Sequence, residues 1–212
     1  MMTTWIGIAL TVACVLVAQT VPALQPVGPR DAVEAAVARF MNILQGGRSD
    51  GAVITADRLG EIREIVREMF DFDEISRRAL SRHWQALPSE EQAEFVTLFR
   101  DLLERAYLTQ VEAAGGEKIT FLGESIDGGG SATVRSKVVT RHGAEIPLDY
   151  RLHVLDGRWR IYDVVVQGIS FIASYRTQFD RVIRAESYSS LRERLQKKAA
   201  ETRATETTAA QR

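Results

Sequence analysis

The chain has 212 residues, of which 45% are hydrophobic and 26% charged, and its formal net charge is −1 at pH 7. This length fits one domain with short appendages, and the apolar content is sufficient for a sizeable core. Acidic and basic residues are interspersed, so the charge pattern gives no indication of a nucleic-acid-binding surface.

The first residues, 1–24, are predicted to be a signal peptide that is removed on export. No charged side chain occurs from Met1 to Pro29, and Trp5 to Ala18 form an apolar run of signal-peptide length. The run is shorter than the roughly 20 apolar residues that span a bilayer. Val21-Pro22-Ala23 offers an acceptable cleavage site. An uncleaved N-terminal anchor is the alternative, because no Lys or Arg precedes the apolar run.

Cysteine and histidine usage indicates no metal or redox cofactor. Cys14 is the single cysteine and lies inside the apolar run, so the mature chain has no thiol. The three histidines are His83, His142 and His153, and none has the spacing of a metal ligand. His153 alternates with apolar neighbours on a predicted strand and is expected to face solvent.

Four helices are predicted before Gly115-Gly116, because apolar residues recur there at helical spacing. Asp31 with Glu34 is typical of a cap that begins the first helix, and Ser89 with Gln92 repeats this pattern at the fourth. The four apolar stripes are Val33, Val37, Phe40, Met41 and Leu44; Leu59, Ile62, Val66, Met69 and Phe70; Ile75, Ala79 and Leu80; and Phe95, Leu98, Phe99, Leu102, Leu103, Ala106 and Tyr107.

The period then changes from helical to alternating, which predicts strands at 119–125, 132–141, 145–155 and 158–166. Short glycine-containing turns separate them, and Asp156-Gly157 is a strong hairpin signal. The four strands are therefore predicted to form an antiparallel meander.

Helical spacing returns after Gly168 and continues into a short last helix, whereas residues 199–212 are predicted to be a flexible tail. Helices, four antiparallel strands and helices again predict an α+β fold. A curved sheet covered on one face by helices can enclose a hollow. Periodicity alone is compatible with a hollow filled by side chains and with one filled by a ligand.

Motifs for catalysis are missing from the sequence. It has no G-x-S-x-G element, and Gly128-Gly129-Gly130 lacks the lysine and following helix of a P-loop. Asp163 with Tyr150 or Tyr162 is the one candidate acid–base set. A strand carboxylate that faces water is the simpler interpretation of Asp163.

Two segments carry a family resemblance. They are WRIYDVVVQGISFIASYRTQF at 159–179 and RHWQALPSEEQAEFVTLFRDLLERAY at 82–107. Together with the order of elements from Asp31 to Lys198, they resemble the MlaC, or toluene-tolerance, family of phospholipid-binding ABC transporter auxiliary proteins. The chain departs from the pattern at Gln167, where many members have Glu, and no role is assigned to that position.

The resemblance implies a cone-shaped α+β fold similar to nuclear transport factor 2, with a deep apolar cavity and a phospholipid-binding domain at 25–198. It implies a monomeric periplasmic carrier that is not an enzyme and whose cargo is phospholipid. Its partners would be an inner-membrane ABC transporter with an MCE-domain protein and an outer-membrane lipoprotein–porin complex, which together maintain outer-membrane lipid asymmetry. The alternative is an exported domain of the same shape with an enzymatic or purely structural role.

For the lipid cavity that the resemblance implies, the alternation and the helix stripes predict two lining surfaces. The sheet surface is Val134, Val138, Leu148, Tyr150, Leu152, Tyr162, Val164 and Val166. The helical surface is Phe99, Leu103, Tyr107, Ile169, Ile172, Tyr175 and Phe179. The fourth strand is ambiguous, because Trp159, Ile161 and Val165 form an apolar set of the opposite phase.

Overall fold

The structure is a computed structural model that describes residues 27–46, 56–113 and 117–210, without the side chains of 56, 107–113 and 201–210. The predicted signal peptide lies outside the described residues, so its removal stays a prediction.

The helices and strands occur in the predicted order. The helices are α1 (Pro29–Gly46), α2 (Ala56–Met69), α3 (Phe72–Leu80), α4 (Ser89–Ala113), α5 (Phe171–Ala185) and α6 (Tyr188–Ala210), with a 3-10 helix at Ser81–Ala86. The strands are β1 (Lys118–Asp127), β2 (Ser131–Val139), β3 (Glu145–Leu155), β4 (Arg158–Val166) and β5 (Ile169–Ser170).

The sheet is an antiparallel meander of order β1-β2-β3-β4-β5. The four main strands match the predicted ones to within two residues, and β5 is a two-residue addition. Asp156 and Gly157 join β3 to β4 with φ of 50° and 73°, the left-handed backbone that the Asp-Gly signal predicts. The α+β fold class is confirmed.

A bulge in β4 resolves the ambiguous phase of this strand. Arg151 pairs with Asp163, but the next residue, Leu152, pairs with Ile161, so Tyr162 has no partner in the register. An extra residue reverses the alternation along a strand. Ile161, before the bulge, and Val164, after it, therefore both pack on the covered face of the sheet. Neither predicted phase holds for the whole strand.

Most of the buried apolar residues form two separate clusters. The sheet cluster is Val33, Val134, Tyr150, Leu152 and Ile161. The helical cluster is Ile75, Ala79, Leu80, Phe95, Leu98, Phe99, Ile172, Phe179, Leu191, Leu195 and Ala199. Phe70 packs against both. Because a domain of this size usually has one contiguous core, the division indicates a hollow between the clusters.

The last helix is longer than predicted. Ala199 is buried in the helical cluster, and its carbonyl oxygen accepts a hydrogen bond of 2.8 Å from Arg105 Nη1. The helix continues to Ala210 instead of ending near Lys198, as the sequence predicted. The flexibility predicted for residues 199–212 stays a prediction. None of the described helices combines the length and apolar composition needed to cross a bilayer.

Candidate functional site

An apolar cavity of about 230 Å³ lies between the two clusters. Its walls come from helices α1 to α5 and strand β4. The lining residues are Phe40, Arg63, Val66, Phe70, Phe72, Ile75, Leu103, Glu104, Tyr162, Asp163, Val164, Phe171 and Ile172. Apolar and aromatic side chains dominate this lining, with a few polar groups at its edges, as is usual in sites for small apolar ligands.

Of the predicted lipid-binding residues, the structure places four on this cavity, namely Leu103, Tyr162, Val164 and Ile172. Phe99, Tyr175 and Phe179 pack on one another instead, with ring centroids 5.0 to 5.6 Å apart. These three aromatic rings belong to the helical cluster and its margin. That cluster also contains Ile75 and Ile172 of the cavity wall.

The other predicted sheet residues lie mostly in the sheet cluster. Val134, Tyr150 and Leu152 are buried there, and Leu148 packs against them. Three more of the predicted residues do not line the cavity, since Val138 and Val166 are half-buried elsewhere and Ile169 is 66% exposed. The side chain of Tyr107 lies outside the described residues. Ile169 is exposed because it lies in the short edge strand β5, ahead of α5.

Sequence reasoning missed the contribution of the first three helices. Phe40, Val66, Phe70 and Ile75 stand on predicted apolar stripes and line the cavity. A stripe shows that a helix buries one face, but it does not show what that face contacts. The sequence therefore showed the apolar stripes of these helices, but it gave no way to decide which of them line a cavity.

Asp163 is buried, with only 4% of its surface exposed, so the expectation that it faces water is wrong. Its carboxylate accepts hydrogen bonds from Ser170 Oγ at 2.6 Å, the backbone nitrogen of Ile172 at 3.1 Å and Arg151 Nη1 at 3.1 Å. Ser170 also caps α5 by accepting from the backbone nitrogen of Ala173. The carboxylate thus fastens the start of α5 to β4.

His153 is also placed differently from the prediction. Its Nε2 lies 2.8 Å from Oδ2 of Asp71, which is buried and caps α3 by accepting from the backbone nitrogen of Glu74. The ring of His153 stands edge-on to Tyr162 at 5.6 Å. His153 therefore connects the sheet to the start of α3 and is half-buried instead of lying free in solvent.

Charged groups from α2 and α4 gather around Glu104 in the wall of the cavity. Glu104 is largely buried, and the Nε atoms of Arg63, Arg67 and Arg100 each lie 3.9 Å from its carboxylate. Within the described ranges, Glu104 Oε1 has no hydrogen-bond partner. Burial raises the pKa of Glu104, and the three guanidiniums oppose this rise.

The raised pKa of Glu104 predicts a pH-dependent cost to stability. The native state retains this proton above the ordinary pKa of 4.5, so the free energy of unfolding falls as pH rises through the raised value. Glu104→Gln removes the titration. We expect the variant to gain stability relative to the parent as pH increases from about 4 to about 7 in urea unfolding. Glu90→Gln, at an exposed position of the same helix, is the control, and a pH-independent difference for Glu104→Gln would contradict the prediction.

Over the described part of the chain, no group of three or more His, Cys, Asp or Glu side chains is arranged to hold a metal ion. The three histidines are well separated, since His83 pairs with Asp180, His153 with Asp71, and His142 lies in an exposed turn.

Comparison with known proteins gives consistent results. A model of the family described as MlaC protein matches residues 34–197. Toluene tolerance protein ttg2D of Pseudomonas putida is 24% identical over 152 residues, which are 71% of this chain and 71% of that protein. A phospholipid-binding protein from Ralstonia solanacearum, solved in complex with a phospholipid, superposes with a TM-score of 0.71 at 21% identity, over 82% of this chain and 97% of that one. The structural likeness establishes the fold, the family match spans most of the sequence, and the chain belongs to the MlaC protein family.

Proposed function

We propose that this protein is a carrier of phospholipid that holds acyl chains in the apolar cavity and performs no chemical reaction. The observation that carries the proposal is the cavity between two apolar clusters that do not merge. The phospholipid in the related Ralstonia solanacearum structure supports it.

The free-energy cost of moving a lipid through water explains why a carrier needs such a cavity. Each methylene group that enters water costs about 0.8 kcal/mol, so a diacyl lipid with about 30 methylenes faces a barrier of roughly 20 kcal/mol or more. An apolar enclosure lowers this barrier because the tails exchange one apolar environment for another. No bond is made or broken in this process.

The size of the cavity implies that it opens when lipid enters. Its volume of about 230 Å³ is below the roughly 300–1,000 Å³ of ordinary small-molecule pockets. In this conformation it accommodates only part of an acyl chain. A diacyl lipid requires the helical and sheet clusters to separate further, and Phe70, which contacts both, lies where they would part.

The candidate acid–base set supports a role without catalysis. The carboxylate of Asp163 is engaged by three donors that fix the start of α5. Burial raises the pKa of Tyr150 to about 12, so its phenol stays protonated near neutral pH. A general acid or base works best with a pKa near the operating pH, which the phenol of Tyr150 lacks, whereas the carboxylate of Asp163 is already occupied by its three donors.

We further propose that the carrier is exported to the periplasm by its signal peptide and acts there as a monomer. Its partners would be the inner-membrane MCE-domain ABC transporter complex and the outer-membrane lipoprotein–porin complex, between which it would shuttle phospholipid to maintain outer-membrane asymmetry. Support comes from membership of the family and from the uncharged apolar segment of residues 1–24.

Protein purified from the periplasmic fraction tests the proposal. We expect native mass spectrometry to show close to one phospholipid per chain, and the denatured mass to correspond to a chain that begins near Gln25. A fully folded protein that never contains lipid would indicate a purely structural domain. An intact Met1 in the membrane fraction would contradict export by cleavage.

A further inference from the structure

A cleft lined by arginines adjoins the apolar cavity. It has a volume of about 470 Å³ and shares Tyr162, Asp163 and Ile172 with the cavity wall. Its remaining lining residues are Arg77, Arg78, Ser81, Arg151, Ser170, Ala173 and Arg176. An apolar compartment thus adjoins a cationic one, and Tyr162, the bulged residue of β4, lines both.

The charges in the cleft do not cancel. Arg77 and Arg78 both bind the carboxylate of Glu74, and Arg151 binds that of Asp163. Among the described residues, none lies within ion-pair distance of Arg176, which is exposed and lines the cleft from α5. The carboxylates near the four guanidiniums are those of Glu74 and Asp163 and, beside Arg77, that of Asp71, so the cleft keeps a net positive charge.

Two of the guanidiniums are held in position by the wall of the cavity. The guanidinium carbon of Arg78 lies 3.9 Å from the ring centroid of Tyr162, an arrangement in which the ring attracts the cation. Arg151 is fixed by the buried carboxylate of Asp163. Both side chains are therefore oriented at the boundary between cleft and cavity before any ligand binds.

We propose that this arginine cleft binds the phosphate group of a phospholipid head group while the acyl chains occupy the adjoining cavity. The planar fork of arginine matches the oxygens of a phosphate and binds them through charge-assisted hydrogen bonds. Arg176 supplies the unpaired charge, and Arg78 and Arg151 stand at the boundary between cleft and cavity. This inference rests on the proposed lipid-carrier function and adds to it the group that the protein recognises.

The charged groups around Glu104 do not offer the same chemistry. There Arg63, Arg67 and Arg100 face the carboxylates of Glu104, Glu64 and Asp101. Three cations against three anions leave no net attraction for a phosphate. The charge balance therefore directs the head group toward Tyr162 and away from Glu104.

Matched short-chain lipids test the assignment. The delipidated chain is titrated calorimetrically with dihexanoyl phosphatidylglycerol, with dihexanoylglycerol, which lacks the phosphate, and with inorganic phosphate. We expect the phosphate-bearing lipid to bind about tenfold more tightly than dihexanoylglycerol. Arg176→Gln should weaken phosphatidylglycerol binding about threefold to tenfold and leave dihexanoylglycerol binding unaltered.

Arg181→Gln is the matched control, because Arg181 is an exposed arginine of the same helix that does not line the cleft. It should change the affinity for neither lipid. Equal affinities for the two lipids, or an equal loss of both in Arg176→Gln, would overturn the phosphate site while leaving the carrier function intact. Inorganic phosphate that binds as tightly as the lipid would overturn the head-group assignment. Failure of both lipids to bind would reject the carrier function itself.

Discussion

Val66→Trp is expected to remove most of the bound phospholipid and to change the free energy of unfolding by less than about 1 kcal/mol. Val66 lines the cavity from α2 but belongs to neither apolar cluster, so a larger side chain here extends into the hollow. The indole occupies volume that would otherwise receive an acyl chain. Organic extraction of the purified variant, with lipid quantified per folded protein, measures the loss.

Val134→Trp is the matched control for this substitution. Val134 is fully buried in the sheet cluster and lines neither the cavity nor the arginine cleft, so the same increase in volume must displace packed neighbours. Overpacking of this kind costs about 1–3 kcal/mol or more. Urea unfolding should show the loss in Val134→Trp and not in Val66→Trp. The cavity interpretation fails if Val66→Trp unfolds as easily as the control and retains its lipid.

Asp163→Ala is expected to lower the free energy of unfolding by about 2–4 kcal/mol. The substitution removes the acceptor of three hydrogen bonds, and the backbone N–H of Ile172 is then left without its partner. Arg151 is partly exposed and regains water, which limits the cost of its broken ion pair. The loss should appear as a lower urea midpoint, because α5 is no longer fastened to β4.

Two further variants separate the role of Asp163 from a general effect of losing a carboxylate. Asp149 lies on the adjacent strand β3 and forms no described side-chain contact. Asp149→Ala should therefore change the free energy of unfolding by no more than about 0.5 kcal/mol. Asp163→Asn keeps the shape and one acceptor oxygen, so its loss should be intermediate. An Asp163→Ala variant as stable as the parent would show that α5 is held by apolar packing alone.

Local patterns were enough to predict the elements of this protein. Neighbouring residues alone predict the strands β2, β3 and β4 and the Asp156-Gly157 turn, because strand period and turn conformation are local properties. Asp71 caps α3 by accepting from the backbone nitrogen of Glu74, three residues along the chain, and this cap is a local feature as well. The α+β class followed from the order of these elements, and the family from two segments of sequence.

The tertiary structure alone decided where the cavity lies and which residues line it. The bulge at Tyr162 reverses the phase of β4, and nothing in the alternation of that strand marks it. Asp163 is buried because α5 folds back over it, which is a contact between distant elements. Apolar stripes on α1 to α5 were visible in the sequence. Because the hydrophobic effect is non-directional, a stripe can be buried equally well against a neighbouring helix or against a lipid tail. Only the relative placement of the helices and the sheet leaves some stripes packed and others facing a hollow.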